Sequence, residues 1–146
     1  MNARTLLLSS IVVLTLAGCG KVSRDFKRAG DDAKNQMIAL REQNSPTQSD
    51  LENQRDEIKK KLEVVTAATK SDRERDAQAA LVSLYVQVSM LKEAETLPPS
   101  DGASREINRL QTKADQCLTD YDVLVGEKDG DEHGPCVTEA KAAMKE

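Results

Sequence analysis

The sequence predicts an all-α protein, folded as an antiparallel helical bundle or as long helical hairpins, with four to five helices and one disulfide. Apolar residues recur at intervals of three and four along most of the chain, which is the spacing of one helix face. Tryptophan is absent, and Phe26, Tyr85 and Tyr121 are the only aromatic residues. The chain therefore lacks the clusters typical of strands, and its core must be built from Leu, Val, Ile, Ala and Met.

The first predicted helix covers residues 31–44, and its apolar face comprises Ala33, Met37 and Leu40. Asp31 and Asp32 lie in its first turn, where carboxylates offset the positive end of the helix dipole. Pro46 prevents the helix from continuing, and the restriction on the residue before a proline favours extended geometry at Ser45.

A second helix is expected to begin at a capping box formed by Ser49 and Glu52. Its apolar stripe has the seven-residue spacing of coiled coils and comprises Leu51, Ile58, Leu62, Val65 and Thr69. A further capping box, Ser71 with Glu74, favours a break near residue 70. That segment contains neither Gly nor Pro, so one bent helix over residues 50–97 is the alternative.

The central helix of the bundle is predicted after residue 71, because apolar residues cover most of its surface. Its main stripe comprises Ala77, Leu81, Leu84, Val88 and Leu91, and the sequence LPPSDG ends it. The last long helix is expected over residues 103–125, followed by Gly126 at its C-terminus. The apolar face of that helix comprises Ile107, Leu110, Ala114, Cys117, Tyr121 and Leu124. Pro135 suits the first turn of a short terminal helix with Val137, Ala140 and Met144 on one side.

The N-terminus has the three zones of a secretory signal. The residues MNAR carry positive charge, an apolar run of about 12 residues follows, and small residues come next. A permanent membrane helix needs about 20 apolar residues, so cleavage is favoured over a retained membrane span.

The four residues Leu16-Ala17-Gly18-Cys19 resemble the lipobox of bacterial lipoproteins. The resemblance implies that a type II signal peptidase removes residues 1–18, that the Cys19 thiol carries diacylglycerol, and that the new N-terminus is acylated, for example with palmitate. Each acyl chain contributes about 0.8 kcal/mol per buried CH₂ to membrane binding. Gly20 stands where Asp favours the inner membrane in enteric lipoproteins. The resemblance therefore implies the outer membrane, on its periplasmic side, with the inner membrane as the alternative.

Three segments are thus predicted: a signal peptide over residues 1–18, a lipidated tether over residues 19–30 and a single helical domain over residues 31–146. The tether is basic, since four of the ten residues from Lys21 to Gly30 are Lys or Arg. It is expected to be solvated or to contact anionic lipid head groups. The alternative is that an imperfect helix begins within it.

Lipidation of Cys19 would leave an even pair, Cys117 and Cys136, which in an oxidising compartment is expected to form a disulfide. Closing a loop of this size contributes about 3 kcal/mol in the chain-entropy model. The bond would join the last long helix to the short terminal one. Zinc bound through His133 and Cys136 is disfavoured, because zinc needs three or four ligands.

Candidate metal ligands concentrate in the acidic segment DGDEHG. Asp129, Asp131 and His133 fall at positions 1, 3 and 5 of an EF-hand calcium loop. The match fails at position 12, which is Ala140, with Glu139 one residue early. We therefore expect a solvated acidic turn, with a calcium site formed by Asp129, Asp131, His133 and Glu139 as the alternative.

No residue pattern predicts catalysis, so a non-enzymatic protein without a cofactor is expected. His133 is the only histidine, and no nucleophile motif such as G-x-S-x-G is present. Charged residues make up 32% of the chain, but both signs are interspersed and the net charge is −4, which argues against a nucleic-acid surface.

The sequence favours a lipid-anchored, periplasm-facing helical protein that acts as an adaptor, assembly factor or structural element of the envelope. The alternative is a ligand- or cation-binding lipoprotein. The chain resembles the small helical pilotin lipoproteins of secretion systems in its anchor, helices and cysteine pair, all of which are generic features. The murein lipoprotein ends in a lysine that joins peptidoglycan, whereas here Lys145 is followed by Glu146. No functional residue is transferred from either family.

Overall fold

A computed structural model describes residues 20–145, which form five α-helices and contain no β-strand. The helices are α1 (Arg24–Glu42), α2 (Gln48–Ala68), α3 (Asp72–Ala94), α4 (Asp101–Leu124) and α5 (Pro135–Ala143). The predicted all-α bundle with a Cys117–Cys136 disulfide is confirmed. The predicted signal peptide and Cys19 lie outside the described residues.

The central helix of the bundle is α3, which packs against each of the other four helices and most extensively against α4. Its predicted stripe is buried along its whole length. The start of α3 lies beside the start of α1 and the end of α4, through Glu74 and Arg73 respectively. We call one end of the bundle the proximal end, because it carries residue 20, the first residue that the structure describes. This end is formed by the starts of α1 and α3, the end of α4 and the loop 125–134. The opposite end, formed by the loops 43–47 and 95–100, is the distal end.

The break between α2 and α3 is confirmed, and so is the capping box that predicted it. Ser71 accepts a hydrogen bond from the backbone N–H of Glu74, whose carboxylate in turn accepts one from the N–H of Ser71. The capping box predicted at Ser49 and Glu52 is wrong. Thr47 caps α2 instead, with extended backbone geometry and a side chain that accepts a hydrogen bond from the N–H of Asp50. This cap places Ser49 inside the first turn of the helix.

The alternative interpretation of residues 19–30 is confirmed, because the first helix begins within this segment. Residues 24–30, assigned to a tether, form the first two turns of α1, with Ser23 as the N-cap. Phe26 has no exposed surface and belongs to the main core, which explains why this segment folds. Ser45 also differs from expectation, because it has a φ of 45° rather than extended geometry.

The terminal helix carries a shorter apolar face than expected. Val137 is buried against the main core, as predicted, and Cys136 is fixed by the disulfide. Met144 lies beyond the end of α5 and is 72% exposed, so the expected stripe through Ala140 to Met144 is wrong. The helix spans nine residues and ends at Ala143, and Met144 lines an open surface cleft between α5 and α3.

Candidate functional site

The proximal end is organised around the buried carboxylate of Glu74, which is 2% exposed. It accepts hydrogen bonds from the backbone N–H groups of Ser23 at 2.7 Å, Lys70 at 2.7 Å and Ser71 at 3.1 Å. Two of these donors belong to the α2–α3 turn and one to the start of α1. A single side chain therefore fixes the first described turn of the chain to the body of the bundle.

Hydrogen bonding determines the charge state of Glu74. Burial acts to raise the pKa of its carboxyl, but the N–H donors of Ser23, Lys70 and Ser71 together outweigh burial and hold the pKa below its ordinary value. The carboxylate is therefore ionised and acts as an acceptor at neutral pH.

Arg73 lies beside Glu74 and satisfies the C-terminal carbonyl groups of α4. Its Nε donates to the carbonyl of Leu124 at 2.6 Å, and a second guanidinium nitrogen donates to that of Val123 at 3.3 Å. A cation at a helix C-terminus also interacts favourably with the helix dipole. The same guanidinium pairs with Glu132, which holds the acidic loop against the bundle.

Three basic side chains at the start of α1 are exposed: Lys21, Arg24 and Arg28. None of the three forms an ion pair with any residue in the range 20–145. Lys27 differs, because it pairs with Asp31 at 2.8 Å and with Glu127. Hydrogen bonds to these carboxylates raise the pKa of Lys27.

Gly30 allows α1 to approach Tyr121 of α4. A Cβ atom at position 30 would lie 2.2 Å from the Tyr121 hydroxyl oxygen, which is far inside van der Waals contact. The hydroxyl donates a hydrogen bond to Asp31 at 3.0 Å, and the Lys34 ammonium lies 5.4 Å from the centre of the ring. Burial, followed by the nearby charge of Asp31, raises the pKa of Tyr121 well above its ordinary value.

The Asp120 carboxylate caps the start of α5, as the Glu74 carboxylate caps the start of α3. Its carboxylate is buried and accepts hydrogen bonds from the N–H groups of Cys136 at 2.8 Å and Val137 at 3.1 Å, the first turn of α5. Burial raises the pKa of Asp120, although these two donors oppose the shift. The cap and the adjacent Cys117–Cys136 disulfide together fix the short terminal helix to α4.

The candidate calcium ligands are not brought together. Asp131 accepts a hydrogen bond from the N–H of His133 at 2.8 Å, and Asp129 is exposed. Glu139 lies on α5 and pairs with Lys113 of α4. Across residues 20–145, no group of three or more His, Cys, Asp or Glu side chains could hold a metal ion.

An exposed apolar surface runs along α3, and we call it the α3 face. It comprises Val82, Val86 and Met90, which are spaced four residues apart and are each exposed by more than 40%. It continues into a shallow cleft of about 390 Å³ between α3 and α5, lined on one side by Ala79 and on the other by Met144. The sequence contained the signal for this face, because apolar residues cover most of the α3 surface and the bundle buries only part of it.

No protein-family model matches the chain, and no curated protein or solved structure matches it. Within residues 20–145, none of the helices combines the length and the apolar character that crossing a membrane requires.

Proposed function

We propose that the protein is a bacterial lipoprotein, anchored in the outer membrane through Cys19 and facing the periplasm. Its helical domain acts without catalysis, as an adaptor, assembly factor or structural element of the envelope. The sequence Leu16-Ala17-Gly18-Cys19, which follows a cleavable apolar run, carries the proposal. The acyl chains on Cys19 supply the membrane affinity.

The α3 face supports the adaptor role. Its spacing of four residues presents a ridge of apolar side chains inclined to the helix axis, against which an amphipathic helix from a second protein can pack. Contiguous apolar surface on a soluble domain marks interaction sites. The partner we propose is accordingly an envelope protein that contributes an amphipathic helical segment to this face.

Lipidation is tested by replacing Cys19 with Ala in cells supplied with labelled palmitate. The wild-type chain should incorporate label and partition with membranes. Cys19→Ala should lose the label and accumulate with residues 1–18 still attached. Ser10→Ala, also within the predicted signal, is the matched control and should be labelled normally. Label on Cys19→Ala would refute the anchor.

The partner surface is tested by placing a photo-crosslinking residue at Val86 and, as a control, at the exposed Lys60 of α2. A discrete envelope protein should be crosslinked in intact cells from position 86 and not from position 60. The additional change Met90→Glu should abolish that product without lowering the stability of the bundle. Equal products from both positions would count against the α3 face.

A further inference from the structure

We infer that the bundle stands on the bilayer on its proximal end, with Lys21, Arg24 and Arg28 against anionic lipid head groups. The inference rests on the proposed lipid anchor at Cys19 and extends it, because it assigns an orientation and a lipid-binding surface to the domain.

Few residues separate the proposed anchor from the folded domain. Ser23 is fixed by its N–H bond to Glu74 at 2.7 Å and by its hydroxyl, which caps α1 through the N–H of Phe26 at 3.2 Å. Only residues 20–22 separate it from Cys19. Four residues span at most about 14 Å when fully extended, so the start of α1 must lie close to the head groups.

Even this short segment lies against the domain. Val22 is half-buried and packs against the main core. Gly20 lies beside the Arg73 guanidinium, since a Cβ atom at position 20 would be 3.5 Å from one of its nitrogens. The lipid is therefore held at a defined place on the proximal end instead of at the end of a flexible linker.

The exposed cations at the start of α1 are complementary in charge to anionic lipid head groups. Arg24 and Arg28 are four residues apart on one side of α1, and Lys21 precedes them. All three are exposed and form no ion pair within the described chain. Basic residues near an anionic bilayer surface are attracted by its negative surface potential.

Two of the four acidic residues in the 125–134 loop are paired with cations of the bundle, whereas Asp129, Asp131 and the nearby Asp25 of α1 are exposed and form no ion pair within residues 20–145. Glu127 pairs with Lys27, and Glu132 pairs with Arg73. Both pairs tie acidic residues of the 125–134 loop to cations of the bundle. They lower the charge repulsion that the loop would otherwise meet at anionic head groups.

The distal end carries exposed acidic residues, and its loops contain no basic ones. The loops 43–47 and 95–100, with the sequences QNSPT and ETLPPS, contain no Lys or Arg. Glu42, Glu95 and Asp101 are exposed around them. Lys92 on α3 is buried, pairs with Glu95 at 2.9 Å and donates to the carbonyl of Gln43 at 2.8 Å. Glu42 and Asp101 are therefore the exposed acidic residues there that form no ion pair within residues 20–145. An anionic bilayer therefore favours the proximal end over the distal end.

Orientation can be measured with single tryptophans, because the chain contains none. Lys70→Trp places a donor on the proximal end and Leu97→Trp places one beyond the end of α3, about 35 Å away along a helix of 23 residues. The lipidated protein is reconstituted into vesicles whose head groups carry dansyl acceptors. Energy transfer from position 70 should be several-fold greater than from position 97. Equal transfer from lipidated, vesicle-bound protein would overturn the inference.

Contact with anionic head groups is measured by labelling lysine amines with a membrane-impermeant acylating reagent. Lys21 should react several-fold more slowly in vesicles containing phosphatidylglycerol than in phosphatidylcholine vesicles, whereas the exposed Lys60 should react equally in both. The double change Arg24→Gln/Arg28→Gln should reduce the protection of Lys21. Lys60→Gln/Arg105→Gln, which removes two exposed cations elsewhere, should not. Equal Lys21 rates in the two lipids would overturn the contact with anionic head groups.

The two proposals fail in distinguishable ways. An unmodified Cys19 in the mass spectrum, with no association with vesicles, would refute the anchor and the inference together. A lipidated protein that binds vesicles but shows equal energy transfer from both ends would leave the anchor in place and refute the orientation alone.

Discussion

The backbone N–H of Ser23 donates a hydrogen bond to the carboxylate of Glu74 across 2.7 Å, joining residues 51 positions apart in the sequence. The same carboxylate closes the capping box of α3 with Ser71. A local capping motif therefore also makes a tertiary contact at the proximal end. The free energy of docking the α1 start is linked to the ionisation of one side chain.

Glu74→Gln should lower the free energy of unfolding at pH 7 by about 1–3 kcal/mol, because it removes the charge that strengthens three N–H bonds. The native pKa of Glu74 is below its ordinary value of 4.5. The contribution of its charge is therefore complete above pH 4.5 and is lost as the pH falls below that value. Urea unfolding of both proteins at a series of pH values measures the difference.

The difference in stability between wild type and Glu74→Gln should narrow as the pH is lowered from 7 toward 3. Glu63→Gln, at an exposed position on α2, is the matched control and should leave the pH profile unchanged. A difference of the same size at every pH would show that shape, not charge, accounts for the effect of the substitution.

Gly30→Ala should destabilise the protein by about 1–3 kcal/mol, although alanine normally stabilises a helix interior. The added Cβ would collide with the Tyr121 hydroxyl and displace it from Asp31. Thermal unfolding measures the loss. Gly102→Ala on α4, where the nearest side-chain atom is 3.8 Å away, is the control and should be neutral or stabilising.

A double-mutant cycle tests whether the Tyr121 hydroxyl causes the destabilisation by Gly30→Ala. In the Tyr121→Phe background the closest colliding atom is absent, so Gly30→Ala should cost less than in the wild type. Equal costs in the two backgrounds would place the source of destabilisation elsewhere.

Gly134→Ala should release the start of α5. A Cβ atom at position 134 would lie 1.8 Å from Oδ1 of Asp120 and 2.6 Å from Oδ2, the oxygen that accepts the N–H bonds of Cys136 and Val137. We expect a loss of about 1–3 kcal/mol, since two buried N–H groups lose their acceptor. Because Asp120→Ala removes the same cap, the double variant should be less destabilised than the sum of the two single changes. Full additivity in urea unfolding would contradict the shared mechanism.

Helix faces were predictable because burial follows the helix period. Most residues of the four predicted stripes are buried, among them Leu40, Ile58, Leu84 and Leu110, whereas Leu62, Thr69 and Ile107 are half-buried. Each stripe can be read from spacings of three, four or seven residues. The Ser71–Glu74 box was equally predictable, because both its residues and its hydrogen bonds are local.

Features that depend on distant residues were not predictable. Gly30 lowers helix propensity locally, yet α1 needs it for its approach to Tyr121, 91 residues later in the sequence. At the start of α2, Thr47 and Ser49 both have side chains suited to capping, and the geometry after Pro46 favours Thr47. Met144 is exposed beyond the end of α5, although its spacing from Val137 and Ala140 fits one helix face.

The Cys117–Cys136 disulfide should contribute about 3 kcal/mol to stability, since it closes a loop with a sequence separation of 19 residues. Alone, α5 is too short to be stable, so its position depends on this bond, the Asp120 cap and the ion pair between Lys141 and Asp76 at 2.7 Å. The change Cys117→Ala/Cys136→Ala should therefore lower the urea midpoint and speed amide exchange in residues 135–143. Amides in the middle of α3 should remain more strongly protected from exchange than those of α5.

A thiol titration of the unfolded, unreduced protein provides the control for that experiment. A mature chain with the disulfide and a lipidated Cys19 should show no reactive thiol. Two reactive thiols would mean that the bond does not form in the cell. Unchanged exchange in α5 without the disulfide would mean instead that the carboxylate cap and the ion pair suffice to hold the helix.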